Sequence, residues 1–201
     1  MIKRNLLVMG LAVLLSACGF QLRGTGTNEM AIKELDLSAR NAYGETVTQL
    51  RQVLQSSGVK VYTGAPYKLV LTDEQESQRI LSYAGAGRTG EYQVSTVLSY
   101  DIRGAQNLPL LSDKLEVQKI FIHDGNNLVG SDQEANTARV ETRRELVQRM
   151  MLRLSQLSPT QLEQLQQTAD AKAKAEAQAL EAAQKAEAET PRQSPIEIPQ
   201  Q

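Results

Sequence analysis

The chain has 201 residues, 41% of them hydrophobic, and 22 basic against 23 acidic side chains for a formal net charge of −1. That balance lacks the basic excess that nucleic-acid binding calls for, so no nucleic-acid partner is expected, and the length suits one domain with extensions. A single cysteine and a single histidine leave few parts for a disulfide, a Cys/His metal centre or a nucleophile–base enzyme, so no cofactor, metal site or catalytic residue is assigned. A hydrolase working through carboxylates alone would need a pair that the sequence does not single out.

The first elements concern targeting. Lys3 and Arg4 precede a nearly continuous apolar run from Leu6 to Leu15, and the small residues Ser16 and Ala17 follow it. This is the three-part order of a secretory signal peptide, assigned to residues 1–17. The run is about ten residues, whereas a bilayer-spanning helix needs roughly 20. The lone cysteine, Cys18, stands at the cleavage position, and "LSAC" resembles the lipobox of bacterial lipoproteins. In such proteins the thiol receives a diacylglycerol and the new amine an acyl chain. Each buried methylene contributes about 0.8 kcal/mol and one chain binds only marginally, so several chains are what hold a protein on a membrane. Gly19 stands where lipoprotein sorting rules place an aspartate for retention in the inner membrane, so the expected address is the outer membrane, on its periplasmic side. Residues 18–28 then read as a lipidated linker.

A domain is expected over residues 29–158. Ile32, Leu35 and Leu37 suggest a short strand. Val47, Leu50, Val53 and Leu54 fall at helical spacing, with Gly58 as a stop. Tyr67, Leu69 and Leu71 alternate, and Ile80 to Tyr83 continue that strand. The clearest period-two segment is "EYQVSTVLSYDIRG": Tyr92, Val94, Thr96, Leu98, Tyr100 and Ile102 share one face, and polar residues fill the other except at Val97. The next strand carries Lys114, Glu116 and Gln118 on its polar face. The period then changes to a helix. Ser131 with Glu134 suggests a capping box, and Val140, Val147, Met150, Met151, Leu154 and Leu157 suggest its apolar stripe. Arg139, Arg143, Arg144, Arg149 and Arg153 make that helix basic. Pro159 ends it or opens a further short turn.

These elements predict an α+β fold: two helices packed on one face of a mostly antiparallel sheet of about four strands, in the order β-α-β-β-β-α. The first strand is free to pair in parallel with a neighbour. Residues 159–201 form an Ala/Glu/Gln-rich tail ending in prolines, with high helix propensity but no stripe to bury, and read as a flexible spacer.

Gly85, Gly87 and Gly90 spell G-x-G-x-x-G, but a strand rather than a helix follows, so the dinucleotide context fails. A hairpin tip is the reading that fits, with Arg88 exposed on it. His123 has no neighbouring ligand in sequence and reads as a polar residue flanking a loop. Arg88, Lys114 and Lys119, with the helix arginines, are the candidates for meeting the phosphate of a lipid headgroup or a partner surface.

With these residues in view, the chain resembles the LptE family of lipopolysaccharide-assembly lipoproteins. The resemblance rests on "ACGFQLRG" after the signal, on "GEYQV" at residues 90–94 and on the element order, and covers about residues 15–158. It implies a non-enzymatic outer-membrane lipoprotein, lipidated on Cys18. Such a protein plugs and helps assemble an LptD-type β-barrel, one to one, and takes part in delivering lipopolysaccharide to the outer leaflet. The segment Phe20 to Arg23 would then lie close to the barrel. The alternative is a pilotin-like or generic periplasmic lipoprotein serving another outer-membrane client.

Overall fold

The computed structural model describes residue 30 and residues 32–84 and 89–189. The signal peptide, Cys18, the linker and Arg88 lie outside the described residues.

Five strands form one sheet. They are β1 (Glu34–Ala39), β2 (Lys60–Val61), β3 (Tyr67–Ala84), β4 (Thr89–Arg103) and β5 (Pro109–Asp124), in the spatial order β2-β1-β3-β4-β5. Three helices accompany them: α1 (Glu45–Ser56), α2 (Leu128–Ser155) and α3 (Pro159–Glu189). The α+β class is as the periodicities indicate. The sheet is mostly antiparallel, as expected: the long β3–β4 and β4–β5 pairings are antiparallel, while β1 pairs in parallel over short stretches with β2 and β3.

The extra strand, β2, is two residues long, too short to show any alternation. It exists because α1 returns the chain to the start of β1, as a parallel connection requires. There Lys60 N bonds Lys33 O at 2.9 Å and Tyr62 N bonds Leu35 O at 3.1 Å. Gly58 ends α1 with φ of +82°, a conformation that favours a residue without a Cβ.

The helices cover one face of the sheet. Leu50 and Leu54 of α1 and Leu146, Met150 and Leu154 of α2 meet Leu35, Leu69, Leu98, Tyr100 and Ile102 from the strands in one core. At about 1.5–3 kcal/mol for each fully buried aliphatic side chain, this interface is the main source of stability. The stripe on α2 differs from the expected one in two places. Leu146 is fully buried, and Val140 is 47% exposed. Towards its N-terminus α2 meets the sheet through small residues, with Ala135 and Ala138 beside Val94 and Phe121.

The start of α2 also differs from the capping box expected at Ser131. Asn127 is the N-cap and accepts a bond from Gly130 N at 3.1 Å. Ser131 lies inside the helix, buried. Its hydroxyl accepts from Asp124 N at 2.7 Å and donates to Asp124 O at 3.1 Å, tying the helix to the end of β5.

The core continues past residue 158. Leu162, in the first turns of α3, is 2% exposed and belongs to the core. Gln166 accepts a bond from Ala105 N at 2.9 Å, at the short turn joining β4 to β5. Among the described residues no helix is long and apolar enough to cross a membrane.

Candidate functional surface

The three long strands present two different faces. On the helix-covered face, directly opposed residues run Gln78–Val94–Lys119, Glu76–Thr96–Val117 and Glu74–Leu98–Leu115. On the uncovered face they run Arg79–Gln93–Ile120, Ser77–Ser95–Gln118 and Gln75–Val97–Glu116. The period-two reading of β4 therefore sorts its side chains as expected.

The uncovered face is a ladder of polar bonds. Ser95 donates to Glu116 at 3.1 Å and Gln118 to the same carboxylate at 2.6 Å. Arg79 donates twice to Gln93, at 3.2 and 3.0 Å, and Ser112 donates to Asp101 at 2.7 Å. The amide bond from Gln118 and then the Ser95 hydroxyl lower the pKa of Glu116. Burial opposes ionisation of Asp101, yet the bonds from Ser112 and Arg103 outweigh it and lower its pKa.

The two described cations singled out from the sequence are not brought together. Lys114 stands opposite Ser99 on the uncovered face and is exposed. Lys119 stands opposite Val94 on the helix side, 3.0 Å from Glu145 of α2. They are five positions apart on one strand, which places them on opposite faces.

The basic helix uses most of its arginines internally. Arg139 bonds Glu76 at 2.7 Å, Arg143 pairs with Glu45 of α1, and Arg153 bonds Asp113 at 2.6 Å. Arg149 bonds Glu145 at 2.6 Å and the carbonyl of Glu116 at 2.7 Å. The Arg153 bond holds the Asp113 carboxyl below its ordinary value, and Lys119 with Arg149 does the same for Glu145. Burial raises the pKa of Tyr100, whose buried hydroxyl, near Arg153 and Asp113, makes no hydrogen bond of ordinary geometry.

His123 lies on β5 with its ring 4.9 Å from that of Tyr92, a packing contact near the far end of the sheet. Residues 85–88 join the paired ends Ala84 and Thr89, so the glycine motif falls at a hairpin connection. Among the described residues no group of three or more His, Cys, Asp or Glu side chains could hold a metal ion.

The profile of one family, LptE, described as lipopolysaccharide-assembly, matches residues 32–154, which span the sheet and both core helices. The chain belongs to the LptE family. Among its relatives, the LPS-assembly lipoprotein LptE of Pectobacterium atrosepticum is 29% identical over 162 residues, covering 77% of this chain and 86% of that one. The protein of the same name from Yersinia enterocolitica is 27% identical over 172 residues, 82% of each. Among solved structures, lipoprotein B of Nitrosomonas europaea has a TM-score of 0.57 at 21% identity, covering 70% of this chain and 90% of that one. A minor lipoprotein of Acinetobacter baumannii has a TM-score of 0.54 at 17% identity, covering 63% and 92%. At these identities the structural likeness shows a shared fold alone. The α2 arginines that clamp the helices to the sheet are part of how this LptE member holds its shape.

Proposed function

We propose that this chain is a non-enzymatic lipoprotein of the outer membrane, held on the periplasmic side by lipid on Cys18. It seats in an LptD-type β-barrel, supports that barrel's assembly and takes part in passing lipopolysaccharide to the outer leaflet. The observation that carries the reading is the family match across residues 32–154, together with relatives named for lipopolysaccharide assembly. The polar ladder on the uncovered sheet face suits the reading, because the interior of a large barrel is polar. A lipid at Cys18 would raise the local concentration of the domain beside such a barrel without any new contact. Among the described candidates, Lys114 and Arg144 are the exposed cations left to meet lipid phosphate, and Arg88 stays a candidate outside the described residues. Lys119 would do so only by leaving Glu145.

Extraction in mild detergent tests the central claim. A large barrel protein should co-purify in equimolar amount, and its absence sinks the reading. Cys18→Ala should accumulate unprocessed or away from the outer membrane. Normal outer-membrane fractionation of that variant would remove the anchor from the proposal.

A further inference from the structure

β3 is 18 residues long, but β1 pairs with it only from Tyr67 to Leu71. Beyond Leu71, among the described residues, the outer side of β3 has no strand beside it, while its inner side stays paired with β4 to Ala84. Register shifts fall between Leu71 and Asp73 and between Ile80 and Ser82. Between them, residues 73–80 form a regular, half-paired edge. Unpaired edges of this kind are templates for strand addition.

The start of this edge opens into a cleft of about 650 Å³ where β1 ends and α1 begins. Its charged lining is Glu45, Asp73, Glu74 and Glu76 against Arg40 and Arg143. Arg40 lies 3.5 Å from Asp73, Arg143 pairs with Glu45, and Arg139 of α2 reaches Glu76. Glu74 has no ion pair; it accepts only the Thr46 hydroxyl, at 2.6 Å. The cleft thus carries excess negative charge, centred on one exposed carboxylate at the edge.

We infer that residues 73–80 of β3 accept an extended, cation-bearing segment of another protein as an added strand, with a lysine or arginine set against Glu74. The helix-side row of the edge is Glu74, Glu76, Gln78 and Ile80, so the added strand carries its cation and an apolar residue six positions apart on one face. Main-chain bonds supply affinity and these alternate side chains supply selectivity.

A second copy of this chain is a poor occupant. Antiparallel self-pairing keeps like faces together, so Glu74 could oppose only Glu74, Glu76, Gln78 or Ile80 of the copy. Arg79 belongs to the other face. No antiparallel register gives the carboxylate a cation, and several oppose like charges, which is destabilising. The outer strand β5 already has a backbone carbonyl engaged, at Glu116 by Arg149.

The test uses the full chain in detergent micelles and does not depend on the barrel reading, since no barrel is present. The probes are a blocked peptide, Lys-Thr-Thr-Ser-Thr-Ser-Val, and the same sequence reversed, because a strand can add in either direction. One of them should slow amide exchange several-fold at alternate residues of 73–80, those whose N–H groups point away from β4. Glu74→Lys should weaken that peptide roughly fivefold, the scale of a cross-strand charge pair lost and reversed. A peptide with glutamate for lysine should bind the variant and restore the protection. Far-UV circular dichroism checks that the variant is folded. The inference is overturned if neither peptide at millimolar concentration protects residues 73–80, or if lysine and glutamate peptides bind the native chain equally. Concentration-dependent protection without peptide also overturns it, in favour of self-pairing.

Discussion

Arg139 of α2 donates through Nε to Glu76 of β3 at 2.7 Å and through Nη2 to Gln78 of the same strand at 3.2 Å. This fork joins the helix to the sheet at a level where the buried contacts of α2 are only alanines and a threonine. Such a half-exposed pair contributes modestly, because water screens it and ordering two long side chains costs entropy. Arg139→Ala and Glu76→Ala should each lower stability by about 0.5–1 kcal/mol. The double variant should cost less than the two added together. Urea unfolding of the four proteins checks this, and strict additivity would show that the pair is not coupled.

Val140, expected in the apolar stripe of α2, is half-exposed, while Leu146, not among the expected stripe residues, is buried, and substitution should expose the difference. Leu146 is fully buried beneath the sheet, whereas Val140 is 47% exposed. Leu146→Ala removes core volume that its neighbours cannot refill and should cost about 2–5 kcal/mol. Val140→Ala should stay within about 0.5 kcal/mol. Denaturant midpoints, with unchanged slopes, are the measurement.

The period-two strands were legible because a half-covered sheet separates its residues cleanly, and β4 is the case in point. The parallel pairing of β1 was open in the sequence, and β2 was invisible, since a two-residue strand has no period. The start of α2 was misplaced because Ser131 with Glu134 satisfies a local pattern while the real cap, Asn127, and the bond from Ser131 to Asp124 depend on where β5 ends. The arginines of α2 looked like an anion surface because sequence shows charge without showing partners. Their carboxylates, Glu45, Glu76 and Asp113, come from three other elements. Lys114 and Lys119 were separable in advance, since an odd spacing on a strand puts them on opposite faces.

Acid should loosen the helix–sheet interface. The carboxyls of Asp113 and Glu145 are held below their ordinary values of 3.8 and 4.5 by bonds from Arg153 and from Lys119 with Arg149. A carboxyl whose pKa is lower when folded stabilises fully well above its unfolded value and loses that contribution as pH falls through the folded one. Stability should therefore be flat near neutrality with respect to these groups and decline below about pH 4.5. Asp113→Asn should flatten part of the decline. Thermal unfolding of both proteins from pH 7 to pH 3 checks the sign. A variant curve parallel to the native one throughout would remove Asp113 from the account.

The first turns of α3 and the rest of that helix should behave as different structures. Leu162 is buried in the core and Gln166 accepts from Ala105 at the β4–β5 turn. Gln106 and Asn107 in that turn have positive φ, at 57° and 61°. A turn held in such a conformation gains from an external tie, because the local backbone is costly for residues with a Cβ. Beyond Gln166 the helix is exposed along almost all its length, and it contains no large buried side chain. Cutting the chain after residue 168 should leave the melting temperature nearly unchanged. Cutting it after residue 158 should lower stability by about 2–4 kcal/mol, chiefly through loss of the Leu162 contact. Leu162→Ala in the full chain should reproduce most of that loss. Melting of both truncations together with the full chain would show that α3 adds nothing to the domain, whereas an equal loss in both relative to the full chain would place the stabilising contacts beyond residue 168.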